Sequence, residues 1–173
     1  MQKLAAFNLK RWIEDNRHLL KPPVGNKLVW EDADFIVMIV GGPNQRRDYH
    51  INPTEEFFHQ LEGNMVLKII QDGKPQDIPI NEGDVFLLPP GIPHSPQRGP
   101  NTVGMVVERR RPKDKNDQVV FLCDNCLETV HRKEFYCTNL GQQLKPVIEE
   151  FWSKPELRKC KKCGTEIQPA KPR

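Results

Sequence analysis

The sequence predicts a mainly β fold, a sandwich or barrel of short antiparallel strands, from two observations. Short apolar runs recur at about the 8–12-residue spacing that is typical of such folds. The 16 Pro and 11 Gly punctuate these runs through the first two thirds of the chain. At 173 residues, the chain is long enough for one domain of ordinary size or for one domain with a small appendage.

The elements follow in chain order. Asn8 fits the N-cap of a short amphipathic helix that ends before Lys21, and we expect this helix to close one end of the barrel. Residues 35–40 are apolar and largely β-branched, as in a buried strand. Asp72 and Gly73 predict a tight hairpin. Further strands are expected over residues 55–61, 65–70, 77–80, 84–88 and 102–108.

Composition excludes some classes of function. No apolar run is long enough to cross a bilayer, and the N-terminus has no apolar signal segment. The net charge is only +3, so nothing in the charge balance calls for nucleic acid. Five Cys, four of them in C-x-x-C pairs, suit metal binding in a reducing compartment, and we therefore expect a cytoplasmic location.

Three side chains fit one open metal site. Along an extended chain, Arg46, Asp48 and His50 share a face, and Glu56 follows six residues after His50. A turn rich in Pro and Gly then presents His94. Two imidazoles and one carboxylate on one side of a metal leave its other positions open, as in non-haem Fe(II) oxygenases.

The remaining histidines are expected to have no role at this site. His59 and Glu55 lie on the strand face opposite Glu56, so alternation turns them away from the metal. His18 and His131 are expected to be surface or structural residues.

Two arginines and a third acidic residue are expected to face the same pocket. Arg46 and Arg98 have the parity of the two histidines, and Glu108 ends an apolar strand. Because a guanidinium pairs with a carboxylate through two hydrogen bonds, they indicate an anionic organic substrate. Glu108 could accept a proton or a hydrogen bond from a hydroxyl or amine of that substrate.

Two spaced motifs resemble those of the cupin superfamily. They are His50-x5-Glu56-x6-Gly63 and Gly83-x5-Pro89-x-Gly91-x2-His94. Asp48 stands where cupins usually have a further His, which leaves three ligands and fits a facial triad. The resemblance implies the cupin double-stranded β-helix, a jelly-roll barrel, with the short helix at its N-terminus.

Longer blocks are similar to the 3-hydroxyanthranilate 3,4-dioxygenase family. They are residues 21–26, 40–44, 46, 48–50, 55–58, 87–89, 93–98 and 107–108. The resemblance implies an Fe(II)-dependent extradiol dioxygenase that converts 3-hydroxyanthranilate and O2 to 2-amino-3-carboxymuconate semialdehyde. That product is the precursor of quinolinate in NAD biosynthesis through the kynurenine pathway of tryptophan degradation. It also implies a homodimer.

The resemblance assigns the roles of the site residues. By the family's pattern, His50, Glu56 and His94 bind the catalytic iron. Arg98 holds the substrate carboxylate, Glu108 contacts the substrate amino or hydroxyl group, and Arg46 lies where dioxygen binds. Glu56 also faces the substrate.

The second group of residues is C-x2-C-x33-C-x2-C, formed by Cys123, Cys126, Cys160 and Cys163. Four thiolates can surround one tetrahedral zinc or iron, and such a closed site is structural. The family resemblance points to a rubredoxin-like iron site. Cys137 has no partner in this pattern and is expected to be a free thiol.

The charged stretch 109–117 contains Pro112 and no apolar residue, which is typical of a linker. We therefore expect a catalytic barrel over residues 1–112 and a metal-binding region over residues 113–173. A helix is expected near residues 144–152 of that region.

Two alternatives remain open at this point. A zinc-ribbon protein that binds nucleic acid would explain the cysteines and the basic tail, but not His50, Glu56 and His94. A non-catalytic cupin that binds a small anion would explain the barrel, but not an open metal site beside two inward arginines. Salt-dependent DNA binding would favour the first, and ligand binding without oxygen uptake the second.

Overall fold

Two antiparallel sheets pack against each other and enclose the main core. The computed structural model describes residues 5–21, 25–30, 33–44 and 46–169. Residues 22–24, part of one of the blocks similar to the dioxygenases, lie outside the described residues.

The strands are β1 Asn26–Leu28, β2 Phe35–Gly41, β3 Asp48–Ile51, β4 Glu56–Glu62, β5 Met65–Gln71, β6 Lys74–Ile80, β7 Val85–Leu88, β8 His94–Arg98, β9 Val103–Arg109, β10 Asp117–Leu122 and β11 Thr129–Phe135. The helices are α1 Leu9–Asn16 and α2 Leu140–Ser153, followed by 3-10 turns Arg17–Leu19 and Pro155–Leu157 respectively. One sheet has the order β1-β2-β9-β4-β7, and the other has the order β11-β10-β3-β8-β5-β6. The predicted mainly β jelly-roll class is confirmed.

The predicted strands match β2, β4, β5, β6, β7 and β9 closely. The hairpin between β5 and β6 turns at Asp72 and Gly73, whose φ angles of 52° and 71° are those of a tight two-residue turn. β6 begins three residues earlier than predicted, because pairing continues up to that turn, where Gln71 opposes Lys74. Thus the turn chemistry, rather than the apolar run alone, determines where this strand starts.

Apolar side chains from both sheets fill the space between them. Met38, Phe58 and Val106 come from the five-stranded sheet, while Leu67 and Ile69 come from the six-stranded one. These side chains are almost completely buried, so removal of apolar surface from water stabilises the stacking of the two sheets.

The N-terminal helix forms where it was predicted. The Asn8 Oδ1 atom accepts a hydrogen bond from the Arg11 backbone N–H at 2.9 Å, which caps α1. The expectation that this helix closes an end of the barrel was wrong. Ile13 packs against Ile39 and Val103, which alternation turns to the outer face of the five-stranded sheet.

The cysteine-rich region shares a sheet with the first 112 residues. β10 pairs with β3, where Val119 lies opposite His50, and α2 packs over β10 with the rings of Phe121 and Phe151 stacked at 3.6 Å. In the stretch expected to be a linker, Arg111 and Asp117 are buried. The division at residue 112 stays a prediction.

In the described part of the chain, neither helix has the length and apolar character needed to cross a membrane.

Candidate active site

Two cross-strand pairs bring four of the predicted residues together between the sheets. His50 lies opposite His94 in the pairing of β3 with β8, and Glu56 lies opposite Glu108 in the pairing of β4 with β9. All four are buried. One possible ligand atom each from His50, Glu56 and His94 lies within 4.8 Å of the others, so the three residues could hold one metal ion.

His94 and Glu56 show why a cation fits here. His94 Nδ1 lies 3.0 Å from the Ile92 carbonyl oxygen, which can only accept, so Nδ1 carries the proton. His94 Nε2 then directs its lone pair at Glu56 Oε2, 3.1 Å away. Two acceptors at this distance need a proton or a metal ion between them.

The pKa shifts of this pair agree with a site that attracts positive charge. Burial disfavours charge on both groups, but the carboxylate of Glu56 outweighs it and raises the pKa of His94. In turn, His94 lowers the pKa of Glu56 against the same effect of burial. A buried carboxylate with a low pKa is a suitable metal ligand.

His50 is held by a residue that the sequence did not single out. Its Nε2 lies 2.7 Å from Asp117 Oδ2, so Nε2–H donates to this carboxylate and Nδ1 is left with the lone pair that can bind a metal. Burial lowers the pKa of His50 although the hydrogen bond to Asp117 opposes this. A neutral imidazole oriented by a carboxylate is the usual form of a histidine ligand.

Asp117 and Arg111 connect this histidine to Glu108. Arg111 donates to Asp117 through Nε at 2.6 Å and through Nη2 at 2.8 Å. Arg111 Nη2 also lies 2.5 Å from Glu108 Oε2. The signal that could have found Asp117 is its parity with Val119 and Phe121, which identifies it as an inward position of β10.

Glu108 is buried, and its carboxylate oxygens lack hydrogen-bond partners among the described residues. The contact with Arg111 is close but does not have hydrogen-bond geometry, and neither carboxylate oxygen has another partner among the described residues. Burial raises the pKa of Glu108 to about 7, the charge of Glu56 adds to this, and Arg111 opposes it. An acid with this pKa can exchange a proton near neutral pH.

Arg98 lies at the end of β8, four positions after His94, and contacts β4. Its Nη1 donates to Gln60 Oε1 at 2.9 Å, and its Nε has no partner among the described residues. Burial lowers the pKa of Arg98 to about 10, although the charge of Glu56 opposes the change. Gln60 was not singled out from the sequence, although it has the parity of Glu56 on β4.

Arg46 is paired with the aspartate at the position where cupins usually have a histidine. Its guanidinium forms an ion pair with Asp48, with Nε 3.2 Å from Oδ1. Burial acts against the charge of Arg46, but Asp48 outweighs it and raises the pKa. A groove of about 860 Å³ reaches Arg46 and Arg98 but is lined by none of the three candidate metal ligands.

His59 faces away from this site, as alternation predicts. It lies on the face of β4 that includes Phe57, where Met105 of β9 is opposite it, and it is absent from the candidate ligand group. Glu55 is exposed just before β4 begins.

The four cysteines converge at a second site. The Sγ–Sγ distances are 3.4 Å for Cys123 and Cys163, 3.6 Å for Cys126 and Cys163, and 3.7 Å for Cys126 and Cys160. A tetrahedron with metal–sulfur bonds of about 2.3 Å has edges of about 3.8 Å, so the arrangement fits a closed four-thiolate site. Gly164, with a φ of 76°, makes the turn that follows Cys163. Cys137 is buried and free.

A model of the 3-hydroxyanthranilic acid dioxygenase family matches residues 1–152. A 3-hydroxyanthranilate 3,4-dioxygenase of Jannaschia sp. (strain CCS1) is 52% identical over 172 residues, which are 99% of this chain and 95% of that protein. One of Neurospora crassa is 54% identical over 160 residues, 92% of this chain and 88% of that protein. Among solved structures, a cupin-2 domain containing protein from Shewanella frigidimarina aligns with a TM-score of 0.47 and 21% identity, over 57% of this chain and 92% of that one.

Proposed function

The chain belongs to the 3-hydroxyanthranilic acid dioxygenase family, and from this premise we propose how its residues carry out the reaction of that family. The chain is an enzyme, a dioxygenase of 3-hydroxyanthranilate, as the sequence predicted. The metal, the product, the pathway and the residue roles are our proposals. The zinc-ribbon alternative is set aside because it leaves the His50, Glu56 and His94 group without a use. The non-catalytic cupin is set aside because it does not explain an open metal site beside two inward arginines.

The proposed cofactor is Fe(II), held by His50, Glu56 and His94. The donor set of two nitrogens and one carboxylate oxygen suits this ion and leaves positions free for other ligands. Iron, when bound, supplies the electron transfer that lets an aromatic compound react with triplet dioxygen.

The proposal depends on one arrangement. The open three-ligand site lies near one end of β4 and β8, and the buried guanidinium of Arg98 lies further along these strands. Gln60 lies four positions after Glu56 on β4, and Arg98 lies four positions after His94 on β8, about 13 Å of strand in each case. An aromatic ring with a carboxylate can span the space between the two ends. The hydroxyl and amino groups of the substrate then face the metal ligands, and its carboxylate faces Arg98.

Glu108 has the proposed role of proton acceptor. It lies opposite Glu56 at the metal end of the pocket, and its raised pKa places its protonation change near neutral pH. Its carboxylate takes the proton of the substrate hydroxyl as the substrate binds and holds it during ring opening. Arg46, which is kept in place by Asp48, orients dioxygen from the side of the groove.

The proposed reaction incorporates both atoms of O2 and opens the ring between carbons 3 and 4. The product is 2-amino-3-carboxymuconate semialdehyde, which closes to quinolinate for NAD biosynthesis in the kynurenine pathway. The proposed location is the cytoplasm, since the C-x-x-C pairs suit metal binding in a reducing compartment. The four-cysteine site is proposed to hold a structural iron or zinc, and the proposed assembly is a homodimer.

Oxygen uptake tests this function directly. The chain is purified without air and loaded with Fe(II), and uptake is followed with formation of the ring-opened product after addition of 3-hydroxyanthranilate. His94→Ala should lose iron and activity together, whereas His59→Ala, the same change on the outer face of β4, should keep both. Absence of uptake by the iron-loaded wild type would refute the substrate assignment.

A further inference from the structure

Three arginines lie near the pocket, and they differ in how their charge is balanced. Arg98 and Arg111 are buried, and Arg46 is partly buried. Arg46 has the carboxylate of Asp48 as its partner. Arg111 contacts both Asp117 and Glu108. Arg98 forms no ion pair with any described residue, and its side-chain hydrogen bond goes to the neutral amide of Gln60. Arg98 is therefore the pocket cation whose charge is left without a counterion.

The orientation of Gln60 is determined by a second hydrogen bond. Gln60 Nε2 donates to the Glu62 carbonyl oxygen at 2.9 Å, which turns Oε1 towards Arg98. The Gln60 side chain is 1% exposed, so water does not substitute for either partner. The amide thus presents an acceptor to the guanidinium without adding charge.

Gly104 provides the surface against which the guanidinium lies. It is opposite Gln60 in the pairing of β4 with β9. A Cβ at this position would lie 2.6 Å from Arg98 Nη1 and 2.9 Å from Gln60 Oε1. These distances are too short for real contacts, so any larger residue would displace the buried guanidinium from Gln60.

We propose that Gln60 and Gly104 determine the specificity of this enzyme for a carboxylated aminophenol. They hold Arg98 in one position and leave its positive charge for the carboxylate of the substrate. Both are positioning residues that act through Arg98. A carboxylate in place of the Gln60 amide would act as an internal counterion and compete with the substrate. This inference rests on the proposed function, because it assumes that Arg98 binds the substrate carboxylate.

The test compares two aminophenols that differ in the carboxylate alone. The first readout is kcat/KM for 3-hydroxyanthranilate, measured by oxygen uptake of the iron-loaded enzyme. The second is the inhibition constant of 2-aminophenol, which has the same hydroxyl and amino groups but lacks the carboxylate. Gln60→Glu should lower kcat/KM by about 10- to 150-fold, the value of a charge-assisted hydrogen bond. The inhibition constant of 2-aminophenol should stay within about twofold.

Further variants separate a positioning role from a general defect. Combining Gln60→Glu with Arg98→Ala should add no loss beyond that of Arg98→Ala, since the effect passes through Arg98. Gly104→Ala should lower kcat/KM for 3-hydroxyanthranilate without changing inhibition by 2-aminophenol. If Gln60→Glu fails to fold, Gln60→Met, which removes the acceptor at similar volume, should show a smaller loss in the same direction. His59→Gln, on the outer face of the same strand, is the matched control.

The outcomes distinguish this inference from the proposed function. If the wild type takes up no oxygen, or if Arg98→Ala keeps full kcat/KM, the proposed function or its substrate-binding residue is wrong. If Arg98→Ala loses activity while folded Gln60 variants keep it, the role of Gln60 is refuted. Equal loss of 3-hydroxyanthranilate turnover and of 2-aminophenol binding would also refute it, because the effect would then not depend on the carboxylate.

Discussion

Replacement of Asp117 by Asn is expected to weaken metal binding without unfolding the chain. The Asp117 carboxylate accepts the Nε2–H of His50 at 2.7 Å and two hydrogen bonds from Arg111 at 2.6 and 2.8 Å. Asparagine has the same shape but carries no charge, and its amide nitrogen cannot accept. The imidazole therefore loses the anion that makes its free nitrogen a stronger metal ligand.

The size of this effect follows from the position of Asp117. Changes of carboxylates that hydrogen-bond a histidine ligand reduce metal affinity by about 10- to 100-fold, which corresponds to about 1.4–2.8 kcal/mol. We expect the upper part of this range, because Asp117 is completely buried and no water can replace it. Asp117→Ala is a poor substitute for this test, since it removes every acceptor for His50 and Arg111, whereas asparagine keeps one oxygen that can accept a hydrogen bond.

The assay is a titration with Co(II), followed by visible absorption, in parallel with thermal unfolding of the metal-free protein. Asp114→Asn serves as the control, because it removes the same charge from an exposed position three residues away. A folded Asp117→Asn variant that binds Co(II) within twofold of the wild type would refute the role assigned to Asp117.

The other predictions concern the proton acceptor, the second metal site and the core of the C-terminal region. Because the pKa of Glu108 is raised to about 7, its carboxylate form is lost as the pH falls through that value, so kcat/KM should decrease below about pH 7. Glu108→Gln should lower kcat by about 10²- to 10⁴-fold and flatten this acid limb; an unchanged pH profile would contradict the role. Cys160→Ser should remove the metal of the four-cysteine site, which elemental analysis measures, while Co(II) should still bind at the His50 site. Loss of both metals would show that the sites are not separate. Phe151→Ala should lower the free energy of unfolding by about 3–5 kcal/mol in chemical denaturation, because its ring is fully buried against Phe121; a loss below about 1 kcal/mol would contradict that packing.

Two of the three arginines near the pocket are paired with carboxylates, and the third is not. Arg46 and Arg111 have carboxylate partners, so their charges stabilise the site rather than attract a ligand. Arg98 forms no ion pair with any described residue, and burial makes its charge costly. If Arg98 binds the substrate carboxylate as proposed, its unpaired charge should favour an anionic substrate over a neutral one.

Strand alternation made much of the candidate site predictable from sequence. A period of two places His50, Glu56 and Arg98 on inward faces and His59 on an outward face, as the structure shows. The C-x-x-C pairs likewise predicted one four-cysteine cluster, because each short turn can present two thiols to one point. In both cases, local geometry along the chain carries the information.

Other features depended on contacts between distant segments. The charged stretch before β10 was expected to be a linker, yet Arg111 and Asp117 are buried, because β10 pairs with β3 beside His50. Nothing in the local pattern says which strand β10 will join. The position of α1 on the outer face of a sheet, rather than across the barrel end, was missed for the same reason.

The sequence by itself determined the class of fold, the three candidate metal ligands, the four cysteines and the family. These follow from periodicity, turn residues and spaced motifs, which are local properties of a chain. Only the tertiary structure decided that Asp117 orients His50 and that Gln60 and Gly104 hold Arg98 without neutralising it. Hydrogen bonds and close contacts of this kind join strands that are far apart in sequence, so they exist only once the sheets have paired and packed.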